Sequence, residues 1–193
     1  MDDPTRSAGI LCTADHLPAR LSPFVSAARR KAFLLYEGRV TAHRSCGIAL
    51  AETFGLASAS YQSLRRGGVT GHGECGAVVA GRLVLGELLG DPSPTGSVTT
   101  ELRAAVAAYD AEIGPRLHTP EPWGDRIACN RLTARFEQFV SQERLRSCTS
   151  IAADVAESVA IVLERLGHTV TLTAIDGVVD PELASYLSHA APS

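Results

Sequence analysis

The sequence predicts an all-α domain, a compact helical bundle with a buried central helix and a short C-terminal extension that holds a small strand. Three observations predict it. Alanine is abundant while aromatic residues make up only 5% of the chain, a balance that favours helices over a β-sandwich. Apolar residues recur at helical spacing through successive segments. Those segments are separated by Ser-Pro, Gly and Gly-Pro signals of the kind that start and stop helices. At 193 residues the chain is long enough to bury roughly 70% of its unfolded surface.

The elements follow in order. Residues 1–21 read as a loose segment. Ser22-Pro23 is a helix start, since Ser caps free amides and Pro is pre-set for the first turn. Phe24, Val25, Ala28, Ala32 and Leu35 carry that helix to a stop at Gly38. A second helix spans about His43 to Phe54, with Ile48, Leu50, Ala51 and Phe54 inward, and a short third covers Ala57 to Arg66. The run Gly67-Gly68-Val69-Thr70-Gly71-His72-Gly73 is too rich in glycine to continue a helix. From Glu74 to Leu89 the apolar residues spread around the helix instead of forming one stripe, which predicts the buried central helix there.

A turn-rich linker, Asp91 to Ser97, leads to an amphipathic helix from Val98 to Ile113, stopped by Gly114-Pro115, and then to a loop from Arg116 to Asp125. Two further helices are expected at about Asn130 to Gln142 and Ser150 to Leu166, the second ended by Gly167. Thr169 to Ile175 alternates polar and apolar residues as a short strand does, and Asp180-Pro181-Glu182 opens a last short helix. The division is a segment 1–21, a helical four-cysteine domain 22–167 and an extension 168–193.

The composition excludes several classes of function. The formal net charge is −3 and no stretch clusters Lys or Arg, so no nucleic-acid partner is expected. No window reaches a membrane span, and Met1-Asp2-Asp3-Pro4 is not followed by the apolar run of a signal peptide, which predicts a cytoplasmic protein with no membrane partner. The apolar helical faces make a homodimer an expectation too. Lys31 is the only lysine and so the only candidate for Schiff-base chemistry, a role not assigned to it.

Five cysteines in a cytoplasmic chain point to metal binding or redox chemistry before a disulfide framework. Cys12 falls in the loose segment, whereas Cys46, Cys75, Cys129 and Cys148 each lie at or near an expected helix start. Helix N-termini present free amides and partial positive charge, which favour thiolates and anionic clusters. The intervals bear no likeness to the CxxC pairs of a zinc ribbon, so a shared site must be assembled by tertiary packing. Read singly, each cysteine is equally a small core hydrophobe.

The pieces His43-Arg44-Ser45-Cys46-Gly47-Ile48-Ala49-Leu50, Gly67-Gly68, Gly71-His72-Gly73-Glu74-Cys75-Gly76-Ala77-Val78 with Leu85-Gly86, Cys129-Asn130-Arg131-Leu132 and Arg146-Ser147-Cys148 occur in one order. In this the chain resembles the C_GCAxxG_C_C family, a group of short helical proteins described as redox-active, over roughly Ala28 to Leu166. It departs from that pattern in placing Ala80 where the family has glycine, with Gly81 one step later, and in a shorter glycine run before His72. The resemblance implies a joint site of Cys46, Cys75, Cys129 and Cys148 and a role in electron transfer or thiol chemistry, and names no substrate.

Three chemistries suit four such thiols. The favoured one is a [2Fe-2S] or [4Fe-4S] iron–sulfur cluster, since four thiolates complete either and a loop of backbone amides at Gly71, His72 and Gly73 would stabilise its negative charge. It would serve electron transfer with a redox partner, or a cluster-dependent reaction. The alternatives are a cluster-free thiol–disulfide protein with Cys75 as nucleophile, and a structural zinc or partner-binding helical protein. His43 and His72 each stand three residues before a cysteine and could add nitrogen ligands. Gly71 to Gly76 matches GxGxxG, but no strand precedes it, so the match carries no dinucleotide site. Glu74 reads as a helix-dipole residue, and Arg65 and Arg66 as a solvated surface pair.

Overall fold

A computed structural model describes residues 21–190; Cys12 and the rest of residues 1–20 lie outside it, as do residues 191–193. The described chain is all-α, with seven α-helices, two short 3-10 helices and one isolated β-bridge. No helix among the described residues is long and apolar enough to cross a membrane.

Helix α1 runs from Pro23 to Glu37 as its signals require. The Ser22 hydroxyl accepts the Val25 amide at 3.2 Å, and Gly38 ends the helix at φ 75°. α2 (Cys46–Thr53) is followed by a 3-10 helix at Ala59–Leu64, then α3 (Gly76–Leu89) and α4 (Thr100–Arg116). Thr99 caps α4 by accepting the Leu102 amide at 3.0 Å, two residues later than the composition pattern suggested. α4 also runs on through Gly114-Pro115, because a proline in a last turn removes only one internal hydrogen bond. A second 3-10 helix (Gly124–Ile127) leads to α5 (Cys129–Thr133), α6 (Gln142–Arg165) and α7 (Pro181–Ala190).

The centre of the bundle is α6, not the Glu74 to Leu89 segment. α6 packs on α1, α2, α3 and α4, and Ala152, Val155, Ala156, Val159, Ala160 and Leu163 are fully buried along it. α3 is buried on one face only: Arg82, Leu83 and Glu87 lie on the other, and Leu83 is 44% exposed. Small residues on α6 let four neighbours approach, and hydropathy alone does not reveal that geometry. The expected helix from Asn130 to Gln142 is also corrected. It stops after five residues, and α6 restarts at Gln142, where the Ser141 hydroxyl accepts the Arg144 amide at 3.2 Å and Glu143 favours the first turn.

One polar network ties three helices together. Glu157 of α6 is 7% exposed and takes Arg29 of α1 at 2.7 Å and Arg116 of α4 at 2.8 Å. Satisfied on both oxygens, it sets the register of α1 and α4 on α6. The C-terminal extension docks on α1. Asp180 takes the Nε and Nη2 of Arg30 and caps α7 by accepting the Leu183 amide, and the Tyr186 ring lies 6.5 Å from that of Phe24. Residues 169–175 form no strand, having no neighbouring strand to pair with; they are held by buried Leu172 and Ile175, by the Ile175 carbonyl accepting the Val178 amide and by Lys31 donating to Thr173.

Candidate functional site

Four elements bring the four predicted cysteines to one place. Cys46 is the first residue of α2, Cys75 the cap of α3 and Cys129 the first residue of α5. Cys148 is the exception to the helix-start pattern, because α6 begins six residues before it. All four line one narrow cavity with Gly76, Ala77, Leu132, Thr133, Ser147 and Ile151, and all four are free thiols.

The glycine loop acts through its backbone. Gly67 (φ 56°) accepts the Gly71 amide at 3.2 Å and the Gly73 amide at 3.0 Å, closing the loop on itself. The loop then zips onto the segment before α5. Gly71 accepts the Asn130 amide at 2.8 Å, Gly73 accepts the Cys129 amide at 2.9 Å, and the Cys75 amide donates to Ile127 at 2.8 Å. These bonds hold the start of α5 beside the start of α3 and so put Cys129 next to Cys75. Gly71, His72 and Gly73 themselves do not line the thiol cavity, and His72 is exposed. Glu74 is used structurally, binding Arg82 and the Gly124 amide.

His43 also stands off the thiol cavity. Its Nδ1 meets the Tyr36 carbonyl and its ring sits edge-on to Tyr36 at 4.8 Å. The Tyr36 hydroxyl, buried on α1, lies 4.0 Å from the Cys46 sulfur. Tyr36 is a site residue that the sequence reading missed, its only signal being its place two residues before the Gly38 stop. Arg144 was missed as well, and Arg66 was read with Arg65 as a solvated surface pair. The charges of Arg66 and Arg144 oppose the rise of the Cys129 pKa, so Arg66 is not only a solvated surface residue.

Three of the four thiols are held toward the protonated form. Burial first, then the charge of Cys46, pushes Cys75 up to about 12, against the Ala77 and Val78 amides of α3, which pull it down. Burial, then Cys46 and Cys148, pushes Cys129 up to about 11. Cys46 is raised by burial and then by Cys148. A buried, protonated Cys75 is a poor attacking nucleophile, which counts against Cys75 as the nucleophile of a thiol–disulfide role.

Four sulfurs dominate the donor set, with the hydroxyl residues Thr133 and Ser147 beside them and no carboxylate or imidazole on the cavity, and it fits thiophilic centres by type. The space is small: about 20 Å³ of room for a water's centre, enough for about one water. Among the described residues no three His, Cys, Asp or Glu side chains are placed to hold a metal ion as they stand. The sulfurs therefore border the cavity without meeting at one point, and any centre requires the thiol groups to turn.

Compared with family models, with curated proteins and with solved structures, the chain matches none. The resemblance to the four-cysteine redox family rests on the quoted residues alone.

Proposed function

We propose that Cys46, Cys75, Cys129 and Cys148 bind an iron–sulfur cluster and that the chain serves electron transfer, in line with the redox family that its cysteine pattern resembles. The observation that carries the reading is the convergence of four thiols, separated by 28, 53 and 18 residues in the sequence, on one narrow cavity lined by no carboxylate and no imidazole. A cluster held there supplies one-electron chemistry.

The chain's own residues have definable parts in this reading. Leu132 and Ile151 close the cavity and keep water out. The Ala77 and Val78 amides of α3 favour negative charge at the Cys75 sulfur, and the Tyr36 hydroxyl is placed to donate to that of Cys46. Arg66 and Arg144 supply positive charge on the Cys129 side, where an anionic centre gains most from it.

The test is iron, acid-labile sulfide and zinc analysis with a visible spectrum on protein purified without oxygen. Stoichiometric iron and sulfide are expected, and each of Cys46→Ser, Cys75→Ser, Cys129→Ser and Cys148→Ser should lose them, while Cys12→Ser should not. Stoichiometric zinc alone, or colourless protein after reconstitution, would overturn the proposal.

A further inference from the structure

A second cavity of about 300 Å³ shares the wall formed by Cys46, Cys129 and Cys148, and opens on the side of the thiols away from Cys75. Its size falls at the low end for small-molecule sites. Its other lining is basic: Arg65, Arg66 and Arg144 contribute guanidinium groups, and no Asp or Glu lines it. None of these three is neutralised by a carboxylate. Arg29, Arg30, Arg82 and Arg116 are taken up by carboxylates, whereas Arg65, Arg66 and Arg144, like Arg103, Arg135 and Arg146 elsewhere, pair with none among the described residues, and these three share one cavity.

Two of the three are also held in position. The Arg66 and Arg144 guanidinium groups lie 4.6 and 4.5 Å from the Phe139 ring centre, and the Arg144 Nε donates to the Phe139 carbonyl at 2.7 Å. Stacked arginines with free N–H groups are pre-organised for a planar or tetrahedral oxyanion, because little side-chain entropy is left to lose on binding. A further polar group is in want of a partner. Ser45 lines the same cavity, and its side-chain oxygen is buried without a hydrogen bond.

We propose that this cavity binds a small oxyanion, the carboxylate or phosphate group of a small molecule, through Arg65, Arg66 and Arg144, with the rest of the ligand against the Cys46, Cys129 and Cys148 wall. The site stands whatever the thiols hold, because its cations and the unpartnered Ser45 oxygen belong to the protein alone. It would set the substrate class of the thiol centre as small anions able to reach sulfur from the basic side.

The test is calorimetric titration of the reduced full chain at low ionic strength, with inorganic phosphate in one arm and succinate in the other. The titration is run both as purified and after metal removal. Saturable binding at one site is expected in both states, and the arm that binds more tightly names the head group. Arg66→Gln and Arg144→Gln should each weaken it at least tenfold. Arg66→Lys and Arg144→Lys, which keep the charge and lose the fork, should weaken it less than the Gln variants but measurably. Arg103→Gln, an exposed arginine on α4, should leave it unchanged. No saturable binding of either anion up to about 10 mM, or binding that the Arg66 and Arg144 variants leave intact, would overturn the proposal.

Discussion

Replacing Gly67 by alanine should damage the fold and the cysteine site together, and Gly68→Ala is the internal control. Both glycines have positive φ, 56° and 70°, so a side chain at either incurs the left-handed backbone cost of about 1–2 kcal/mol. They differ in what a Cβ would meet. At Gly67 it would lie 2.5 Å from the Cys129 Cβ and 2.5 Å from the Gly73 carbonyl oxygen, whereas at Gly68 nothing is within 4 Å. The Gly67 contacts are backbone and a first side-chain carbon, which cannot swing aside, so overpacking adds about 1–3 kcal/mol. Both changes gain the same few tenths to 1 kcal/mol from a stiffer unfolded chain, which cancels in the comparison. With an m-value of about 1–3 kcal/mol per molar urea, the midpoint of Gly67→Ala should fall roughly 1 M below that of Gly68→Ala in reduced, metal-free protein. The Cys129 thiol should also label faster in Gly67→Ala, since the clash pushes α5 away from the loop. Equal midpoints for the two variants would refute the claim that the loop seats Cys129 by direct backbone contact.

Three further outcomes follow from buried charges and from the thiols. Lys31 is buried on α1 with Thr173 as its hydrogen-bond partner, and burial lowers its pKa from 10.5 to about 8, against a smaller raising effect of Glu52. Between those pH values the unfolded chain holds a proton that the folded chain has lost, so stability rises with pH there. Lys31→Met should be about 1–3 kcal/mol more stable than the parent at pH 7 and should abolish that rise, as read by urea unfolding across pH 7 to 10. Asp180→Ala should cost about 2–3 kcal/mol, because the side chain both caps α7 and binds the Arg30 fork. The hydrogen bond from Arg30 is the main cause that holds the Asp180 carboxyl below its ordinary 3.8, so the stabilisation is complete above that pH and is lost as pH falls through the lower folded value. The acid limb of the stability curve should therefore be shallower in Asp180→Ala than in the parent. Finally, Cys75 in metal-free, reduced protein should react with a thiol reagent far more slowly than an exposed cysteine at pH 7, and unfolding should remove the difference.

Much of the fold was legible because it rests on local signals. Ser22 and Asp180 start helices through bonds to amides three positions on, and Gly38 stops one by its left-handed backbone; all three features are found. The set of four cysteines was legible from residue type and placement. Three things were not, each for a long-range reason. α6 is central because small residues such as Ala152 and Ala156 admit four neighbouring helices, and hydropathy ranks them below the leucines of α3. The early restart at Gln142, which puts Cys148 inside a helix, depends on a single hydroxyl contact of Ser141. The glycine loop suggested a cradle for an anion, but its Gly71 and Gly73 amides are spent on the Gly67 carbonyl and the His72 amide on the Thr70 hydroxyl, while its carbonyls take the amides of Cys129 and Asn130, pairings more than fifty residues apart in the chain.

The same pairings bear on which kind of centre the thiols can share. Cys46 and Cys75 begin helices that are packed into the core, so their backbones have little freedom. Cys129 sits on a five-residue helix with no buried residue of its own, and its place is fixed by the bonds from the glycine loop. A single tetrahedral ion, with metal–sulfur bonds of about 2.3 Å, would have to draw all four sulfurs to one point. A cluster of several metal atoms needs more than the present room for about one water, so loading it would push the cavity walls apart. Of the cysteine-bearing helices only α5 has no buried residue of its own, so amide-exchange protection at Cys129 and Asn130 should fall on loading with a cluster. Unchanged protection on loading would show that α5 stays in place and would point the site toward a single ion such as zinc.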